Sequence, residues 1–106
     1  MNDSIQTLIT KINEDWDRWT KSADITNVPK SEILVQEGSK YIKIVRSDSQ
    51  DMVWGFIVKT DTDKKFRKGD ILKAASWAAP ARNKARGNIL EGDFSWVRWT
   101  GPEYLR

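Results

Sequence analysis

The hydrophobic period of this chain changes once, and that change constrains the fold more than any other feature. Across residues 3 to 22, Ile5, Leu8, Ile9, Ile12, Trp16 and Trp19 recur at steps of three and four, which puts them on one face of an amphipathic helix. From residue 31 the period becomes two. The stretches "EILVQ", "YIKIVR" and "MVWGFIVK" are rich in the β-branched and aromatic side chains that suit a pleated sheet. The connections "EGSK" and "SDSQD" are hairpin-sized, so an antiparallel meander is expected. A helix and a half-buried sheet each need a partner for their apolar face. The expected fold is therefore α+β: an N-terminal amphipathic helix packed on a small antiparallel sheet of three to five strands.

Finer expectations follow from single residues. Asp3 with Gln6 three positions on resembles a capping box, and Pro29 after "ADITNV" places the helix end well before it. Trp16 and Trp19 lie on the apolar stripe and are expected in the core, whereas Glu14, Asp15 and Asp17 do not converge and read as a solvated face. Gly55 within "MVWGFIV" indicates a bulge or a close backbone approach. "DILKAAS" offers a fourth strand, and "FSWVRW" a further one with Trp96 and Arg98 on one face and Val97 and Trp99 on the other. The 106 residues suit one domain, residues 1–24 forming the helix and 31–106 the sheet with a basic C-terminal segment.

Two absences limit the chemistry. With no cysteine and no histidine, a disulfide, a thiolate metal site, a cysteine nucleophile and the commonest general base near neutral pH are all missing. No metal and no cofactor are expected. An acid or base would have to come from Asp70, Glu91 or Asp93 with Lys73, a spacing compatible with an ion pair only, and Ser76 has no recognisable base partner. There is no P-loop and no nucleophile elbow, so a non-enzymatic role is expected. No apolar run approaches a membrane span, and the first residues lack the pattern of a signal peptide; a cytoplasmic location without a membrane partner follows as an expectation.

The charge is unevenly placed. Residues 64 to 86 hold Lys64, Lys65, Arg67, Lys68, Lys73, Arg82, Lys84 and Arg86 against Asp70 alone, while the rest of the chain has ten basic and fourteen acidic residues. A local basic segment suits phosphates or an acidic surface. Within it, Pro80 and Gly87 bracket "PARNKARG" as a candidate two-turn helix, whose N-terminal amides would face an anion, while Arg86, Gly87 and Asn88 could form a backbone nest. Lys73, Trp77, Arg82, Lys84 and Arg86 are the candidate ligand-binding residues, with Lys64, Lys65, Arg67 and Lys68 as peripheral steering charge. Trp77 either plugs the core or faces a ligand, and Arg86 either bonds loop carbonyls or contacts phosphate. Phe66 either stacks on a base or anchors its loop.

The stretch "GDILKAASWAAPARNKARGNI" is similar to a pattern in small tailed-bacteriophage proteins of no established activity: a glycine-aspartate turn, a strand, then Ser-Trp, Ala-Pro-Ala and Ala-Arg-Gly-Asn. The matching residues are Gly69, Asp70, Lys73, Ala74, Trp77, Ala79, Pro80, Ala81, Ala85, Arg86, Gly87 and Asn88, followed more loosely by "GPEYL". The likeness runs from "YIKIV" onward and leaves out the helix. It implies a phage origin and action in the cytoplasm of an infected bacterial host. Together with the basic segment it leads to the expectation of a phage binding protein for a phosphate-bearing ligand, foremost nucleic acid. The alternative is an anti-defence or host-takeover protein that binds a host protein or sequesters a signal nucleotide. Oligomeric state stays open.

Overall fold

A computed structural model describes residues 2–24, 32–47, 50–92 and 94–102. Helix α1 (Asn2–Ser22) is followed by strands β1 (Glu32–Glu37), β2 (Tyr41–Ser47), β3 (Asp51–Val58), β4 (Asp70–Leu72), β5 (Gly87–Asn88), β6 (Val97–Arg98) and β7 (Gly101–Pro102). The first five strands form one antiparallel sheet in sequence order, and β6 and β7 form a separate hairpin. The α+β architecture, the meander and the fourth strand agree with the sequence. Residues 25–31 and 48–49, with Pro29, and the acid candidate Asp93 lie outside the described residues.

Period-two alternation gives the sheet two apolar faces. Ile42, Ile44, Ile57 and Ile71 point to one side and meet Ile5, Leu8 and Ile12 of α1, with Ile89, Trp96 and Val97 completing this larger core. Phe56, Val58 and Leu72 point to the other side, where Phe66 covers them. Phe66 is thus an anchor: it is buried, and it holds the basic loop 61–68 down on the second face.

At Gly55 both expectations are realised. The β2–β3 register pairs Ile44 with Gly55 but Val45 with Val53, leaving Trp54 as the extra residue of a bulge. Strict alternation would send Trp54 to the Phe56 side; the bulge instead puts it in the helix-side core, where its indole N–H donates to the Arg98 carbonyl at 2.8 Å. A β-carbon at residue 55 would stand 3.1 Å from the Leu72 carbonyl oxygen and 3.3 Å from a Pro102 side-chain carbon, so the bare backbone is also a close approach.

Three expectations need correction, besides the strand expected over "FSWVRW", of which only Val97–Arg98 forms and whose Trp96 and Val97 both enter the helix-side core. Asp3 lies inside the first helical turn, because α1 begins at Asn2, so it acts on the helix dipole and not as a capping residue. Trp16 is half-buried and Trp19 is 39% exposed: they meet Trp99, with ring centroids 4.9 Å apart in each case, at the border of the core. The Asp15 carboxylate, on the supposed solvated face, accepts the Trp99 backbone N–H at 2.9 Å and fixes this arrangement.

The third correction concerns "PARNKARG", which is not helical. After β4 the chain forms a bridge from Ala74 to Pro80, reverses through residues 75–79, and returns beside β4 into β5. The N–H of Ala81 donates to the Lys73 carbonyl at 2.7 Å and that of Arg86 to the Ile71 carbonyl at 2.9 Å. Those amides gain tertiary partners on β4 and just beyond it, which outweighs the marginal stability of an isolated two-turn helix. The helix-terminal anion site is lost with the helix. Gly87 has a different duty from the one expected: positive φ occurs at Gly69, Gly92 and Gly101 among the described glycines, whereas the Cα of Gly87 is the floor on which the Trp96 indole rests.

Candidate functional site

The basic segment does not form one cationic wall, because two of its arginines are engaged in holding loops together. Arg82 donates two hydrogen bonds to Asp63, at 2.9 and 3.0 Å, and one to the Tyr41 hydroxyl, and its guanidinium lies 5.0 Å from the Phe66 ring centre. Asp63 also accepts the backbone N–H groups of Lys65 and Phe66. This clamp joins loop 61–68, the return segment 80–86 and β2. Arg67 pairs with Glu91 and lies 3.8 Å from Asp70, and the Glu91 hydrogen bond raises its pKa. Lys65 stands over the Phe66 ring at 5.4 Å.

The hydrogen bonds from Arg82, with those of the Lys65 and Phe66 amides, hold the Asp63 carboxyl far below the usual aspartate range, and the same pair raises Arg82. A carboxylate with a lowered folded-state pKa stabilises the fold above its unfolded pKa of about 3.9 and loses that contribution as pH falls toward the folded value. An Asp63→Asn variant should therefore melt below the parent at neutral pH, with the gap closing as the acid limb is entered below about pH 4. Thermal melts of both proteins across that range check it; a gap independent of pH would mean that the charge of Asp63 contributes nothing.

The acid candidates are also placed. Asp70 is buried, accepting the Asn88 side-chain N–H at 2.9 Å and the Arg67 backbone N–H at 2.9 Å, and Glu91 faces Arg67. Lys73 is half-buried; burial first, and Arg86 second, lower its pKa. The Nε of Arg86 donates to the Lys84 carbonyl at 3.2 Å, so Arg86 bonds its own loop. Lys64, Lys68 and Lys84 are exposed. Among the described residues no acidic cluster could hold a metal ion, and no helix is long and apolar enough to cross a membrane.

Trp77 faces outward, 49% exposed at the tip of the 75–79 reversal. The ammonium of Lys43 lies 4.2 Å from its ring centre and 5.9 Å from that of Phe56, a cation-π arrangement that fixes both side chains. Beside them is a groove of about 380 Å³ lined by Gln36, Lys40, Tyr41, Lys43, Phe56 and Ala78 among others. The Tyr41 and Phe56 rings meet edge to face, 6.0 Å apart. A second cavity of about 290 Å³ is lined by Lys40, Thr60, Thr62, Asp63, Lys64 and Arg82.

Lys40, Tyr41, Lys43, Phe56, Thr60 and Thr62 were not singled out in the sequence. One signal did point to two of them: in "YIKIV", Tyr41, Lys43 and Val45 share the apolar second face by period two, and a lysine in that row is an anomaly. Of the five sequence candidates, the structure brings Arg82 into the second cavity and Trp77 against Lys43, which lines the first.

No curated protein and no solved structure matches the chain. A family model does, over residues 2–103, and it makes the chain a member of DUF7717, a family of unknown function.

Proposed function

We propose that this protein is a non-enzymatic binding protein whose ligand carries phosphate, foremost a nucleic acid, acting in the cytoplasm of a phage-infected bacterium. The observation that carries the reading is the exposed Trp77 under the Lys43 ammonium, beside a groove lined by Tyr41, Lys43 and Lys40. Aromatic faces interleaved with cations bind nucleic acids by stacking and charge neutralisation together. The engagement of Asp70 and Glu91 in loop bonding supports a binding role over acid-base chemistry. The phage setting rests on the likeness of the 69–88 segment to tailed-phage proteins.

Fluorescence anisotropy with labelled oligonucleotides, at about 50 and 200 mM salt, tests it. Affinity should fall by at least about tenfold between the two conditions, and Trp77→Ala should lower it by a similar factor at low salt. Absence of binding to any nucleic acid or nucleotide at low salt would sink the reading. The second reading, a host-protein partner, is favoured by one observation: a cavity of about 350 Å³ beside the half-open Trp19 and Trp99, flanked by Arg18 and Arg98. Pull-down of one host protein, lost in Trp19→Ala and kept in Trp77→Ala, would favour it.

A further inference from the structure

We infer that the two cavities on the second sheet face form one track for a single-stranded nucleic acid, with a base in the groove of Tyr41 and Lys43, beside the exposed Trp77, and the adjoining phosphate in the cavity of Lys64, Thr60 and Thr62. The inference rests on the reading of the chain as a binder of phosphate-bearing ligands and names the class of ligand. Lys40 lines both cavities, and the hydrogen bond from Arg82 to the Tyr41 hydroxyl forms the partition between them.

The two compartments differ in chemistry in the way that a nucleotide's two halves do. The first offers the half-buried Tyr41 ring and the Lys43 ammonium, which lies over the buried Phe56 and the neighbouring Trp77; its volume lies at the lower end of the range of about 300 to 1,000 Å³ usual for ligand clefts. A flat unsaturated ring can stack there, and only an unpaired strand presents the face of its base. The second offers the ammonium groups of Lys40 and Lys64 and two threonine hydroxyls. Its one acid, Asp63, is neutralised by the bidentate Arg82, so its charge does not repel an anion from the cavity.

The acid of the first groove is also paired. Glu37 lines the first groove, paired with Lys59 at 3.1 Å. Glu37 is thus compensated as Asp63 is, and the two ammonium groups and two hydroxyls of the second cavity make it the better seat for the phosphate.

The test measures the affinity of the full chain for four labelled or competing probes of equal concentration. These are an oligodeoxythymidine and an oligouridine of about eight nucleotides, a duplex of the same length, and thymidine monophosphate. The single strands should bind at least about tenfold more tightly than the duplex, and the longer strands more tightly than the monophosphate, since each engaged phosphate adds counterion release. The preference between the two single strands reports DNA or RNA, and either supports the track. Lys40→Ala and the pair Thr60→Val with Thr62→Val should weaken single-strand binding several-fold and reduce its salt slope by about 0.7 for each phosphate lost. Circular dichroism melts confirm that these exposed or half-exposed variants fold. Equal affinity for duplex and single strand, equal affinity for monophosphate and oligomer, or indifference to Lys40 would each overturn the track while leaving a phosphate-binding protein. Failure of every probe at low salt would overturn both.

Discussion

Gly87→Ala should destabilise this protein by about 3 kcal/mol or more, lowering the melting temperature by more than about 10 °C for a domain of this size. The cause is a collision, not lost backbone freedom. A β-carbon at residue 87 would fall inside the van der Waals shell of indole atoms Nε1, Cε2 and Cδ1 of Trp96. The indole has little room to yield, since Trp96 is buried and packs against Trp54 and Phe94, with ring centres 6.4 and 5.8 Å away. Gly87 is itself fixed opposite Ile71 in the sheet. All the offending atoms belong to the five-membered ring, so Trp96→Phe should remove much of the clash. The double variant is then expected to be more stable than the sum of the two single losses predicts. Chemical denaturation of the four proteins measures the coupling; additive losses would show that the indole is not the obstacle.

Asn88→Ala should cost about 3 kcal/mol through a different cause, the loss of hydrogen bonds at a buried junction. The Asn88 amide donates to the Lys68 carbonyl at 3.0 Å and to Asp70 at 2.9 Å, and its oxygen accepts the Leu90 N–H at 2.8 Å. Three segments meet on this one side chain: the end of the basic loop, β4 and the turn after β5. Truncation leaves a buried carboxylate with fewer donors, and an uncompensated buried charge is the costly part of such a deletion. Removing the acid as well should return some of the loss, so Asp70→Ala combined with Asn88→Ala should be less harmful than the separate effects added together. Urea denaturation of the set checks it, and a loss below about 1 kcal/mol in Asn88→Ala would show that solvent replaces the amide.

The sequence and the structure agree where the local pattern alone decides. Ile5, Leu8 and Ile12 repeat at helical spacing and nothing else could bury them together; the meander carries its turns in the text. They diverge where partners come from far along the chain. Pro80 and Gly87 punctuate a helix and a strand return equally well, and the choice was made by carbonyls at Ile71 and Lys73. The excess of positive charge between residues 64 and 86 is real in composition, yet Arg82 is tied to Asp63 and Arg67 to Glu91, pairings no local pattern displays. Trp16 and Trp19 fell between core and surface because their companion, Trp99, comes from the other end of the chain. The candidate groove was hidden for the same reason: Lys43 becomes notable only when the distant Trp77 and Phe56 are both seen near its ammonium.

The clamp of Arg82 on Asp63 and Tyr41 gives the second sheet face an uncommon thermodynamic character. The smaller core is roofed by loops, and Tyr41 serves both as part of that roof and as a wall of the groove. A molecule that contacted both Tyr41 and Arg82 would bind only the clamped arrangement, so by linkage it would stabilise that arrangement, by about 2.7 kcal/mol when present at a hundred times its dissociation constant. Conversely, whatever loosens the roof lowers the fraction of molecules competent to bind and weakens apparent affinity in proportion. For such a molecule, occupancy and local opening of loop 61–68 would be two readings of a single equilibrium.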